Sequence, residues 1–216
     1  MKLLLLSTSD YHGAGLYALD YTRYLRDTGH DARLLVKEKS SNDSYVKAYK
    51  RTFLQKVFER IYHLFREPKA LRTDKKYHFH HLESNPLFPR AVDLINQANI
   101  DPDYILVFWV SGFLDSNHLK ALKRLTQAKI IIMTADPAPF TGGCHYAWNC
   151  VGYKTNCKDC PAILDVQQKL IAEKIFKKKK RFYQTVKPTI VVGSSYMYSL
   201  AEKSNLTKDL EYWFQY

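Results

Sequence analysis

Four cysteines lie close together in this chain of 216 residues, with the spacing C-x5-C-x6-C-x2-C. The final CxxC pair is a good half-site for zinc, because two thiolates at that spacing can point to one tetrahedral centre. Structural zinc, one or two disulfides, and free thiols are the three interpretations of the cluster. A zinc ion bound by four thiolates would have no open position for catalysis and would stabilise the loop. The candidate metal ligands are Cys144, Cys150, Cys157 and Cys160, and the adjoining His145 could compete as a ligand.

A single carboxylate precedes the cysteines at a position typical of active sites. Asp136 follows the apolar run 130–133, which is too short and too β-branched for a helix and is predicted to be a buried strand. A carboxylate just beyond such a strand can face the ligand-binding crevice of an α/β fold. We therefore predict that Asp136 is the catalytic residue. The alternative is an aspartate that only caps the turn before Pro137.

A glycine turn near the start of the chain is a second candidate site. Gly13, Ala14 and Gly15 lie between a predicted strand and a predicted helix. Small residues there let backbone N–H groups and the positive end of the helix approach an anion. The alternative is a turn that needs glycine only for packing. No acidic residue ends the second strand to hold a ribose, which disfavours a nucleotide-dependent oxidoreductase.

The elements that must position these residues alternate between strands and helices. The alternation predicts an α/β fold, a Rossmann-like, doubly wound, mostly parallel sheet flanked by helices and carrying a Cys-rich loop. The predicted strands are 3–6, 32–36, 104–110, 130–133 and 189–192, and the predicted helices are 13–28, 51–65, 90–99, 115–125, 165–181 and 195–204.

Three loops reach the carboxyl ends of these strands, where such folds bind their ligands. They are 7–15, 110–114 and 134–143. The predicted substrate-binding residues in these loops are Gly13, Ala14, Gly15, Ser111, Gly112, Thr141, Gly142 and Gly143.

The chain is strongly basic, with a net charge of +12, and such an excess favours anionic partners. Ten Lys or Arg but only three acidic residues lie between Tyr45 and Lys76. Within that region, residues 51–65 place their apolar side chains on one stripe of a helix with basic edges. The stripe is either ordinary core, which is the commoner case, or a surface for anionic membrane headgroups. The run from Lys177 to Arg181 is predicted to be a solvated helix end.

The remaining features predict a cytoplasmic protein without a membrane span. No run approaches the roughly 18 to 20 apolar residues that a spanning helix needs. The apolar run 3–6 is too short for the core of a signal peptide. His78, His80 and His81 have no acidic or cysteine partner at metal-binding spacing, and we interpret them as exposed residues of a polar excursion over 69–86.

The chain resembles a bacterial branch of the GT4 glycosyltransferases, retaining enzymes of the two-domain GT-B architecture that are often encoded in surface-polysaccharide clusters. The start of the chain, with Gly13-Ala14-Gly15 after the first strand, is similar to the start of that family. The more specific similarity is carried by Asp136, Phe140, Thr141, Gly142, Gly143, Cys144, His145, Tyr146, Cys150, Tyr153, Cys157, Cys160 and Pro161.

The resemblance implies that residues 1–216 form one acceptor-binding domain, the N-terminal half of a GT-B fold with a Cys-rich insertion at 140–164. Such an enzyme moves a sugar from a nucleotide-sugar to a saccharide or polyprenyl-linked acceptor, and the loop with Gly13 and Gly15 would lie against the donor diphosphate. Many members carry a histidine just before the aspartate, where this chain has Ala135. The resemblance then implies that Asp136 is a ligand of the acceptor hydroxyl group or a base. The donor-binding domain of the family would be a missing partner, so we expect the chain to be inactive alone.

Two further expectations concern partners. Peripheral association with anionic lipid at the inner membrane face is one. The other is that the chain does not bind nucleic acid, although a basic, zinc-containing nucleic-acid-binding module is the alternative function. That alternative is disfavoured because the cysteine spacing does not match a zinc finger and the basic residues are not interleaved with stacking aromatic residues in a recognised pattern.

Overall fold

The computed structural model describes residues 1–64, 71–80, 83 and 87–215, without the side chains of residues 62–64. The chain divides into two compact units, one formed by residues 1–70 and 85–129 and the other by residues 71–84 and 130–216. Both units combine parallel strands with α-helices. The predicted Rossmann-like α/β fold is therefore confirmed.

The first unit is built around a very apolar first strand. Strands β1 (Lys2–Ser9), β2 (Asp31–Glu38), β3 (Val46–Ala48) and β4 (Tyr104–Val107) are parallel, in the order β3-β2-β1-β4. Strand β2 runs beyond the predicted strand 32–36 and ends at Glu38, so the expectation that no acidic residue ends the second strand is wrong. Leu4, Leu5 and Leu6 have no exposed surface, as a continuous apolar run in a parallel strand covered on both faces requires. The helices are α1 (Gly13–Asp27), α2 (Phe53–Leu64), α3 (Ala91–Ala98) and α4 (Ser116–Thr126).

The second unit carries the chain from the fifth strand onward. Strands β5 (Lys129–Met133), β6 (Thr189–Val192) and β7 (Tyr212–Phe214) are parallel, in the order β5-β6-β7. The helices are α5 (Ile171–Val186) and α6 (Ser195–Lys203). Between β5 and α5 the only regular elements are three short 3₁₀ turns, at Ala138–Phe140, Gly152–Lys154 and Val166–Gln168.

The predicted range of helix α5 is wrong. The sequence predicted a helix over 165–181 with a solvated basic end, but α5 spans Ile171–Val186, so the basic run lies in its middle. Lys179 is only 4% exposed. The reason is helical spacing, because Lys179 shares the buried face of α5 with Ala172, Ile175, Phe176, Phe182 and Tyr183.

Part of the segment predicted to be a polar surface excursion is packed into the second unit. Tyr77 and Phe79 are buried, and isolated antiparallel bridges join Thr73 to Ile163 and Phe79 to Cys144. The sequence missed this packing because the partners are distant in the chain. Residues 81, 82 and 84–86 of the segment, with His81 among them, lie outside the described residues, as does the end of the predicted helix 51–65.

Within the described ranges, none of the helices combines the length and the apolar character that crossing a bilayer would require.

Candidate functional site

The chain turns sharply at the carboxyl end of β5. Thr134 ties this end to β6, since its Oγ1 donates to the Val191 carbonyl oxygen at 2.6 Å. Two residues later, Asp136 Oδ1 accepts a hydrogen bond from the Ala138 backbone N–H at 2.6 Å. Asp136 therefore caps the turn at Pro137, as the alternative interpretation of this residue predicted. Only one of its two carboxylate oxygens is used in that way.

The second carboxylate oxygen of Asp136 faces a histidine that the sequence did not pair with it. Asp136 Oδ2 lies 3.3 Å from His145 Nδ1, and the two side chains are 20% and 23% exposed. Burial, followed by the charges of His78 and Lys179, lowers the pKa of His145 to about 4. Burial also raises the pKa of Asp136 above its ordinary value. The imidazole is therefore neutral at pH 7 and can donate its Nδ1 hydrogen to the carboxylate.

Two further histidines lie beside this pair. The His80 backbone N–H donates to the Gly143 carbonyl oxygen at 2.9 Å, and the His80 ring centre lies 4.6 Å from that of His145. His78 makes an edge contact with Tyr146, with ring centres 5.6 Å apart. Both histidines are exposed, as predicted. Both histidines lie near Asp136 because residues 71–80 pack against residues 143–146. These two segments are distant in the sequence, so only the structure shows that they are neighbours.

Lys179 holds the turn that follows Asp136. Its ammonium group donates to the carbonyl oxygens of Ala138 at 2.7 Å and Thr141 at 3.1 Å. Burial lowers the pKa of Lys179 to about 8, so the group is still mostly protonated at neutral pH. The signal that could have found it is the apolar spacing of α5, in which Lys179 occupies a buried position.

The three predicted substrate-binding residues after this turn are buried and make contacts within the loop. Thr141 Oγ1 accepts from the N–H groups of Gly143 and Cys144, at 3.1 and 2.9 Å. A Cβ on Gly142 would lie 2.7 Å from the Ala172 carbonyl oxygen. Gly143 has a φ of +133°, and a Cβ there would collide with the His80 carbonyl oxygen. These glycines are needed for close backbone approach, and their role toward a substrate stays a prediction.

The four cysteines form no disulfide bond in this structure, and their side chains influence one another's pKa. A hydrogen bond between the thiols of Cys144 and Cys160 raises the pKa of Cys144 and lowers that of Cys160 to about 7. Burial raises the pKa of Cys157 to about 12, and the Gly142 N–H donates to its Sγ at 3.2 Å. The described part of the chain contains no group of three or more His, Cys, Asp or Glu side chains arranged to hold a metal ion. Zinc therefore stays a prediction.

The other predicted residues lie in the first unit. Thr8, near the end of β1, is joined to the loop after β4, since its Oγ1 donates to the Ser111 carbonyl oxygen at 3.0 Å. Gly112 has a φ of +70°, which favours glycine at this turn.

The glycines at the start of α1 support different interpretations, one that needs glycine only for packing and one in which the turn approaches an anion. A Cβ on Gly15 would lie 2.7 Å from Ser9 Oγ, so packing alone explains this glycine. Gly13 has a φ of +24° and open space where a Cβ would be, while Ala14 is half-buried in the first turn of the helix. Gly13, Ala14 and Gly15, at the start of α1, thus lie in the first unit together with Ser111 and Gly112. Asp136 and the threonine, glycines and cysteines that follow it lie in the second unit.

Comparison with known proteins gives no relative: no family model matches the chain, and none of the curated proteins does.

Proposed function

We propose that this chain is the acceptor-binding part of a retaining glycosyltransferase, in which Asp136 binds the acceptor hydroxyl group next to His145. The observation that carries the proposal is the contact of 3.3 Å between the Asp136 carboxylate and the His145 imidazole at the end of β5. The Rossmann-like fold and the resemblance of residues 136–161 to GT4 enzymes support it.

The proposed reaction requires the protein mainly to position the acceptor hydroxyl group and to place polar side chains beside it. In the proposed step the acceptor hydroxyl donates a hydrogen bond to Asp136 Oδ2, which His145 Nδ1–H also approaches. The acceptor oxygen forms the new bond to the anomeric carbon of the donor sugar, the nucleoside diphosphate leaves with the bonding electrons, and the hydroxyl proton passes to Asp136 Oδ2 and from there to solvent. Because burial keeps the imidazole neutral, His145 orients the carboxylate without adding a positive charge.

The proposal also accounts for a departure from the family pattern. Ala135 stands where many GT4 enzymes have a histidine, so that position contributes no imidazole. We infer that His145 supplies the imidazole from further along the chain. Its backbone N–H donates to the Tyr77 carbonyl oxygen at 3.2 Å, which holds this histidine near the turn.

Two other roles belong to the same proposal. The N-terminus of α1 is proposed to meet an anion such as the donor diphosphate, and the open space around Gly13 supports that role. Structural zinc bound by the four cysteines is proposed from their spacing. N–H···S hydrogen bonds to Cys157 and Cys150, at 3.2 and 3.4 Å, support it because such bonds suit thiolate sulfurs.

The test is the binding of acceptor saccharides to the whole chain. The labelled protein is applied to an immobilised array of bacterial surface oligosaccharides, in parallel with the variants Asp136→Asn and His145→Gln. We expect a subset of saccharides to be retained, and we expect Asp136→Asn to weaken their binding roughly ten- to hundredfold, because the hydroxyl loses a charged acceptor. Asp209→Asn is the matched control, since it removes the same charge from an exposed residue of the second unit.

Two results would contradict the proposal. One is that the array retains no saccharide, and the other is that Asp136→Asn binds as well as the unchanged protein. A nucleic-acid affinity that falls steeply with salt would instead favour the basic nucleic-acid-binding module.

A further inference from the structure

Helix α2 packs against the first unit through a polar side. Gln55 is only 7% exposed, and its side chain accepts from Tyr49 Oη at 3.0 Å and donates to Asp93 Oδ2 at 3.0 Å. The neighbouring Glu59 is half-buried and forms an ion pair with Arg51 at 2.7 Å. The attachment of the helix thus uses hydrogen bonds and charge, where an amphipathic helix normally uses its apolar stripe.

The apolar side of α2 points away from the unit. Phe53, Leu54 and Phe58 are 78%, 66% and 59% exposed, and Ile61 and Val57 are 47% and 38% exposed. At about 100° per residue, these five positions fall within an arc of roughly 140°. The apolar stripe is therefore an exposed surface, although such a pattern more commonly belongs to the core. Contiguous exposed apolar surface of this kind marks a binding site more often than an accident of packing.

The charges around this surface are positive. Lys50, Lys56 and Arg60 are exposed. Lys56 and Arg60 follow one another at helical spacing along one edge of the apolar arc, and Lys50 lies shortly before the helix. The acidic residue of the described helix, Glu59, is already neutralised by Arg51. A partner that matches this surface therefore has an apolar interior and a negatively charged outer layer.

We propose that α2 is a membrane-docking helix, which lies in the surface of a bilayer rich in anionic lipid. Its apolar side chains would enter the boundary between headgroups and acyl chains, and Lys50, Lys56 and Arg60 would meet the lipid phosphates. A second copy of the chain fits less well, because two proteins that each carry a net charge of +12 repel each other. The inference does not depend on the proposed glycosyltransferase activity.

The experiment measures co-sedimentation of the whole chain with two kinds of vesicle. One kind is pure phosphatidylcholine, and the other is an equal mixture of phosphatidylcholine and phosphatidylglycerol. We expect binding to the anionic vesicles only, and we expect it to weaken as salt is added. Because each cation near such a surface contributes a factor of roughly five in affinity, Lys56→Gln with Arg60→Gln should weaken binding roughly 25-fold.

The apolar contribution is tested separately. Phe53→Ser with Phe58→Ser should weaken binding at least tenfold, on the order of the transfer of one exposed aromatic side chain. Both rings are exposed, so the fold should tolerate the change, and circular dichroism with a melting curve checks this. The matched controls are Arg124→Gln with Lys208→Gln, and Leu125→Ser with Val166→Ser, all at exposed positions outside α2.

The proposal is overturned by equal binding to both kinds of vesicle, by no binding to either, or by equal losses in the α2 variants and their controls. It is also overturned if light scattering finds a stable dimer of the unchanged protein that the phenylalanine variant abolishes. That result would assign the apolar surface to a second copy of this chain.

Discussion

Lys179 carries a charge into the interior of the second unit, where two carbonyl oxygens receive its hydrogen bonds. Both oxygens belong to the turn between Asp136 and the cysteines. Because a buried ammonium group must be paired to persist, its position and that of the turn depend on each other. Lys179 thus supports the shape of the candidate site although it lies on a helix remote in sequence.

A lysine variant measures this support. Lys179→Met leaves the carbonyl oxygens of Ala138 and Thr141 without their donor, and we expect it to lower the free energy of unfolding by about 2–4 kcal/mol. The melting temperature should fall by about 5–10 °C. Lys174→Met is the matched control, since Lys174 is an exposed lysine on the same helix, and it should change stability by less than about 0.5 kcal/mol. Equal melting temperatures for the two variants would contradict the role of Lys179.

The junction of β1 and α1 is an element whose close packing depends on glycine. Ser9 ends β1, and its side chain and carbonyl oxygen approach Gly15 in the first turn of α1. Asp10, almost fully buried, accepts hydrogen bonds from the backbone N–H groups of Ser40 and Ser41, at 2.7 and 2.9 Å. The turn is therefore held in place from both sides.

Replacing Gly15 tests the packing of this junction. In Gly15→Ala the new Cβ would lie 2.7 Å from Ser9 Oγ and 2.8 Å from the Ser9 carbonyl oxygen. We expect a loss of about 1–3 kcal/mol in a urea unfolding experiment, because the backbone of β1 would have to move. Gly193→Ala is the control, since it introduces a Cβ into open space, and it should be neutral. A Gly15→Ala protein as stable as the control would show that the contact is easily relieved.

At the scale of the whole molecule, positive charge and clustered thiols are the two dominant chemical features. Much of the net charge of +12 arises between Tyr45 and Lys76, the region that includes α2 and its exposed apolar surface. The four thiols all lie in the second unit. Charge and thiols are thus separated along the chain, and they can be tested independently.

Elemental analysis of the purified whole chain tests the zinc proposal. We expect one zinc ion per chain and four thiols that react with a thiol reagent only after chelation. Cys157→Ser should lower the zinc content and the melting temperature together, because metal binding stabilises the folded state. Metal-free protein whose four thiols react at once would rule out structural zinc in favour of free thiols. Protein without reactive thiols would favour disulfides.

Much of the fold could be predicted from the sequence because it depends on local patterns. The apolar run at 3–6 predicted β1, and Asp115 was expected at the start of α4, where its Oδ1 accepts from the Asn117 N–H at 3.0 Å. Helix α1 ends at Asp27, one residue before the end of the predicted helix 13–28, and Gly29 follows with a φ of +86°. The short strands β3 and β7 were missed, since three residues carry too little periodicity to identify a strand.

The amino-acid sequence by itself determined the α/β class, the strand–helix order and the position of Asp136 after a core strand. Only the tertiary structure decided that His145 faces Asp136, that Lys179 is buried and that the apolar stripe of α2 is exposed. The physical reason is that hydrogen-bonded periodicity is local, whereas burial and pairing depend on which distant segments pack together. A sequence pattern states that a helix has two faces, and the contacts of Gln55 determine which face turns inward.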